Sequence, residues 1–145
     1  YRYKEINSDE YYMAVLSIPQ INLKKGIYDK EDIRNNILEN VTIHEQSNYP
    51  DEENSNVILY AHSGSGYQAF FKNLYKLNLD SLIELYYNHV KYVYKVDNIY
   101  NVEKKGQVKI FRDDGKKTIT LITCSQDNKG EQIVFIGYLI DQINY

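Results

Sequence analysis

The chain has one cysteine, no tryptophan and two prolines in 145 residues. A single cysteine excludes an internal disulfide and every CxxC-type metal or redox site. No apolar run approaches the roughly 18 residues that a membrane-spanning helix requires. A basic excess is lacking too. The formal charge of -3 offers nothing to the phosphates of a nucleic acid, so no nucleic-acid partner is expected. Internal repeats, low-complexity tracts and linkers are absent, and the length suits one domain over residues 1–145, with residues 1–11 a polar lead-in. The first residue is Tyr rather than Met, so a targeting or anchoring segment is expected to precede it.

What the chain does have is tyrosine: sixteen, against four phenylalanines. Many alternate with aliphatics, as at Leu85-Tyr86-Tyr87 and Tyr92-Val93-Tyr94. That pattern suits the pleated surface of a β-sheet, where aromatic and β-branched side chains pack well. A tyrosine-lined ligand groove is the alternative. Strand patterns recur along the chain at 12–18, 21–27, 56–61, 82–87, 90–100, 118–123 and 132–140, and 108–111 can add another. Residues 41–44 are too brief to assign, and 45–55 is acidic, rich in Asn and interrupted by Pro50, hence a loop. Asn88-His89 reads as a hairpin turn, and Asp113-Asp114-Gly115 as another. Apolar residues at 33, 37 and 38 predict a short helix over 30–40 with Asp29 as its cap; those at 70, 71, 74 and 77 predict another over 68–77. The expected fold is mainly β, a closed barrel of about eight strands with two or three short helices.

The cysteine lies where a strand gives way to a polar loop, in 117–139 (KTITLITCSQDNKGEQIVFIGYL). A strand fixes such a side chain while the loop leaves it reachable. A buried cysteine acting as a small hydrophobe is the plainer alternative. His62 has the matching setting: it ends the apolar run Asn56–Ala61 and precedes Ser63-Gly64-Ser65-Gly66. His44 borders the acidic loop and His89 sits in the hairpin turn, so both read as surface residues. Cys124 and His62 at the ends of neighbouring strands can form an activated nucleophile with its acid/base partner. One Cys and one His fall short of the four ligands of a structural zinc site. The carboxylates of Asp51-Glu52-Glu53 suit Ca²⁺, but a solvated loop explains them more simply, and no cofactor is expected.

The run Ile119-Thr120-Leu121-Ile122-Thr123-Cys124 resembles the TLxTC signature of the sortases. Asn56 to Gly64, followed by Phe70-Phe71-Lys72-Asn73-Leu74, is similar to their histidine strand and the helix behind it, and Ser17 to Leu23 to their opening strand pair. The resemblance spans about residues 12–140 in the family's order. It implies an eight-stranded barrel at the outer face of a bacterial, mostly Gram-positive, membrane, anchored by a segment before the domain. It also implies a cysteine transpeptidase that cuts an LPxTG-like sorting signal after threonine, holds the product as a thioester, and passes it to an amine of peptidoglycan or a pilin subunit. Cys124 would be the nucleophile and His62 the general acid and later base. Thr123, Ala61, Ser63 and Lys129 flank these positions as expected substrate-binding residues.

One departure stands out. Where sortases carry an arginine after the cysteine loop, this chain has Gln132, in Glu131-Gln132-Ile133-Val134. A glutamine can donate to an oxyanion but brings no positive charge. Either Gln132 or Lys129 takes that role, or the protein is a relative that binds peptide without transferring it. A hydrolytic cysteine peptidase, with water as acceptor, is a third reading.

Overall fold

The computed structural model describes residues 3–4, 11–64, 69–103, 115–124 and 130–145. Two short strands, β1 (Tyr3–Lys4) and β2 (Tyr11–Tyr12), pair with each other. The other eight are β3 (Ala14–Ile18), β4 (Leu23–Ile27), β5 (Thr42–Ile43), β6 (Asn56–Tyr60), β7 (Leu82–Tyr87), β8 (Val90–Glu103), β9 (Thr118–Cys124) and β10 (Glu131–Asn144). They form one sheet in the order β4-β3-β7-β8-β10-β9-β6-β5. All of its pairings are antiparallel except one, β6 with β9.

The sheet curls until its two edges nearly meet. Ile27 of β4 and Ile43 of β5 belong to the same buried core as Leu16, Leu85, Tyr94, Phe135, Leu121 and Leu59 from the strands between. Across the gap, the Asn40 amide donates to the Gly26 carbonyl at 2.8 Å. This is the eight-stranded, nearly closed barrel that the strand spacing predicts. Burying one such Leu, Ile or Phe contributes about 1.5–3 kcal/mol, so the shared interior is the main force holding the curl.

Among the described residues the helical segments are two 3₁₀ turns, Pro19–Ile21 and Leu74–Lys76. Pro19 stops β3 and opens the first of them, as expected of a residue that cannot donate into a ladder. Over 30–40 the expected helix gives way to consecutive turns. Its polar residues bond the local backbone instead: Asp29 accepts from the Lys30 N–H, Asp32 from the Arg34 N–H and Asn36 from the Leu38 N–H, at 2.8 to 3.1 Å. Short Asp and Asn side chains compete with helical bonding in this way. Ile33 and Leu38, which should have formed the buried face, are 88% and 68% exposed. The 108–111 strand and most of the 113–115 turn lie outside the described residues, as does the lead-in other than 3–4 and 11.

Candidate active site

From Thr118 to Thr123 β9 is buried, because it is covered on both sides. Ile119 and Leu121 point into the barrel core. Ile122 belongs to a second, outer cluster with Ile58 and Val134, packed by Tyr60, Tyr100, Val102 and Ile136. The strand ends on Cys124, half-buried, one alternation beyond Ile122 and hence on that outer face.

The β6–β9 pairing is parallel, with Tyr60 opposite Ile122. Parallel neighbours end at the same edge of a sheet. Two residues beyond Tyr60, His62 therefore comes level with Cys124, two residues beyond Ile122. The ladder runs on past the regular strand: the Ala61 N–H donates to Ile122 O at 3.3 Å, Thr123 Oγ1 to Ala61 O at 2.8 Å, and Ser63 Oγ to Cys124 O at 2.9 Å. The chain then turns through Gly64, whose φ of 89° favours a residue without a Cβ. It returns so that the Phe71 N–H donates to His62 O at 3.0 Å. Phe71 and Leu74 are buried in the core, so the backbone of His62 is tied to a fixed point. That is what the apolar stripe at Phe70, Phe71, Leu74 and Leu77 does, although residues 70–76 form turns and a short 3₁₀ segment rather than an α-helix.

Gln132 lies directly opposite Cys124 in the antiparallel β9–β10 ladder. Opposed residues project from the same face with Cβ atoms about 4.5–5.5 Å apart. The structure thus brings Cys124, His62 and Gln132 to one edge of three adjacent strands, beside the outer apolar strip. Lys129 lies outside the described residues. Among those described, Arg34 is the one arginine, and it is committed to Asp32 at 2.9 and 3.0 Å with its guanidinium over the Tyr28 ring at 4.2 Å. His44 is elsewhere: its Nδ1 accepts the Gln46 N–H at 3.0 Å and its ring meets Tyr60 edge-on at 6.0 Å. His89 is in the β7–β8 turn, against Tyr145.

The outer strip is a feature that residue-by-residue reading passes over. Its signal is the unbroken apolar run of β6 and the two-faced apolar pattern of β9, which require cover outside as well as inside. Burial raises the Tyr60 and Tyr100 phenols above their ordinary pKa, and Glu45 adds to the rise at Tyr60. Both rings therefore lie neutral beside the strip at physiological pH. No group of three or more His, Cys, Asp or Glu gathers among the described residues in a way that could hold a metal ion.

The fold and this edge define a β-barrel class with a strand-end cysteine and histidine. A family model described as the sortase domain matches residues 16–140, and the chain belongs to that family. Among solved structures it is similar to sortase C1 from Streptococcus agalactiae, with 24% identity over 90% of this chain and 68% of that one, at a TM-score of 0.78. Sortase C-1 from Actinomyces oris shares 23% identity over 90% and 74% of the two chains, at 0.79. The lid mutant of sortase A from Corynebacterium diphtheriae shares 23% over 93% and 73%, at 0.80. No curated protein sequence matches the chain.

Proposed function

We propose that the protein is a cysteine transpeptidase of the bacterial cell surface. It cleaves a threonine-containing, LPxTG-like sorting signal and transfers the acyl part to an amine of peptidoglycan or of a pilin subunit. The observation that carries this reading is the parallel β6–β9 register, which sets His62 level with Cys124. A related sortase C from Streptococcus pneumoniae is described in terms of pilin substrate specificity, which favours a pilin acceptor here.

In this mechanism the Cys124 sulfur attacks the carbonyl carbon of the signal's threonine. The C–N bond breaks as His62 gives its proton to the departing amide nitrogen. The acyl group is left as a thioester on Sγ. The incoming amine attacks the same carbon, His62 takes the amine proton, and the C–S bond breaks to return the thiolate. At each tetrahedral stage the former carbonyl oxygen carries negative charge. Gln132, opposite Cys124, supplies an amide N–H toward it.

The test is incubation of the protein with a labelled LPxTG-type peptide, with and without an added amine. Transfer product supports the proposal. Hydrolysis alone would make the protein a peptidase, and peptide that stays bound but uncut would make it a binding module. His62→Ala should remove nearly all turnover, whereas His44→Ala and His89→Ala should leave it close to the parent. Comparable losses from the latter two would mean that His62 is not the partner.

A further inference from the structure

We infer that Ser63 and Thr123 form a reciprocal latch that fixes the spacing of His62 and Cys124, which makes them positioning residues. The inference builds on the Cys–His reading above. Each hydroxyl belongs to a residue adjacent to one member of the pair and bonds the backbone beside the other. Ser63 follows His62 and holds the carbonyl of Cys124 at 2.9 Å. Thr123 precedes Cys124 and holds the carbonyl of Ala61, just before His62, at 2.8 Å. Regular β6–β9 pairing ends at Tyr60 and Ile122, and the last backbone bond, Ala61 to Ile122, is long at 3.3 Å. The two hydroxyls prolong the ladder at the two residues where the reacting side chains are mounted.

The arrangement also determines what these hydroxyls cannot do. A Ser or Thr hydroxyl has one hydrogen to donate. With both directed at backbone carbonyls, neither is left to donate to a substrate carbonyl or an oxyanion. Thr123 is moreover buried, at 4% exposure. Donation in the site then falls to groups such as the Gln132 amide, and the latch variants should change the chemical step rather than peptide affinity.

Because Cys124 is the only cysteine, the geometry can be read without any catalytic assay. His62→Cys places a second thiol on the neighbouring strand. Adjacent strands lie about 4.8 Å apart, within the span that a disulfide bridges. Under mild oxidation this variant should close an intramolecular disulfide, detected as a mass loss of two hydrogens. In that background Ser63→Ala and Thr123→Val should slow closure about five- to tenfold, the scale of one lost hydrogen bond with its alignment. Thr123→Ser should close at the His62→Cys rate. The control is Thr120→Val, which removes the buried Thr120–Asn56 hydrogen bond of 2.8 Å in the same strand pair, away from the pair's end. Closure that stays fast in both latch variants, or slows as much in Thr120→Val, overturns the latch.

In the parent background, Ser63→Ala and Thr123→Val should lower kcat with KM nearly unchanged. A rise in KM alone would make them substrate contacts and overturn the inference. If the parent transfers no peptide while the disulfide rates still separate, the transpeptidase reading fails and the latch stands.

Discussion

On the proposed mechanism, Gln132 brings a neutral amide to the place where the sortase resemblance implies an arginine. Charge-assisted hydrogen bonds are roughly twice as strong as neutral ones. Removing one oxyanion donor from an enzyme costs about two to three orders of magnitude in rate. Gln132→Ala should therefore reduce single-turnover thioester formation by at least about tenfold, and Gln132→Arg should hold or raise it. A silent Gln132→Ala with a damaging Lys129→Ala would transfer the role to Lys129. Cys124→Ala should abolish the thioester and leave the fold intact, because the side chain is half-buried at a strand end. Tyr94 presents a different residue-scale problem. It is fully buried in the barrel, and its hydroxyl has no hydrogen-bond partner among the described residues. A buried hydroxyl without a partner costs about 1–3 kcal/mol, so Tyr94→Phe should raise the urea midpoint rather than lower it. A clear fall would mean that the hydroxyl is bonded in solution.

Hairpins and turns show most directly what could be read from residue types. Asn88 and His89 both have positive φ, 50° and 64°, and join Tyr87 to Val90 in a two-residue loop. This is the type I′ geometry matched to the twist of the flanking strands. A side chain with a Cβ carries a cost of about 1–2 kcal/mol in that region, which Gly avoids. His89→Gly should raise Tm by about 2–4 °C, less whatever its ring contributes against Tyr145. A melting curve that shifts downward would show the ring contact to dominate. The same hairpin was legible because its signal is local: alternation, two turn residues, alternation again. The stretch over 30–40 was misleading because Ile33, Ile37 and Leu38 have helical spacing while Asp32, Asn35 and Asn36 between them bond backbone groups. Asn35 even leaves the segment to accept the Ile43 N–H at 2.9 Å. The length of β10 was hidden as well. Register shifts at Ile136/Gly137 and Leu139/Asp141 let it run on to Asn144, and alternation alone cannot carry a reader across a bulge.

Over the whole molecule, the tyrosine content makes the fold sensitive to alkali. Burial raises the phenol pKa of Tyr49, Tyr60, Tyr87, Tyr94 and Tyr100 above the ordinary value of 10.0. At Tyr49 the rise is reinforced by its hydrogen bond to Asp29. A group whose folded pKa lies above its unfolded one stabilises the fold fully below the unfolded value. That contribution is lost as pH climbs through the folded value. Stability from these groups should thus be level up to about pH 10 and fall beyond it, as unfolded chains release protons that the folded chain retains. Urea midpoints below and above pH 10, with the tyrosinate absorbance followed in parallel, check this. A flat profile would contradict it. The motif residues of the site were legible individually, through Cys124 at a strand end and His62 before glycines. That they share one edge was expected from their places at the ends of neighbouring strands; the parallel register that sets them level was not, since it joins segments about sixty positions apart and no local pattern encodes it.

That single parallel pairing also dictates when the site comes into being. Closing so long a stretch carries an entropic cost that grows with the logarithm of its length, and contacts of high sequence separation are the slow ones in folding. The β3–β4 and β7–β8 hairpins can zip from their turns. β6 can pair with β5, made just before it, but the neighbour that completes the site is β9, carried round through β8 and β10. During synthesis His62 emerges first and waits for a strand that is among the last to be made. A chain halted before residue 118 would hold several native hairpins and no reactive pair. On the proposed mechanism, the reacting pair is therefore completed only in a nearly whole barrel.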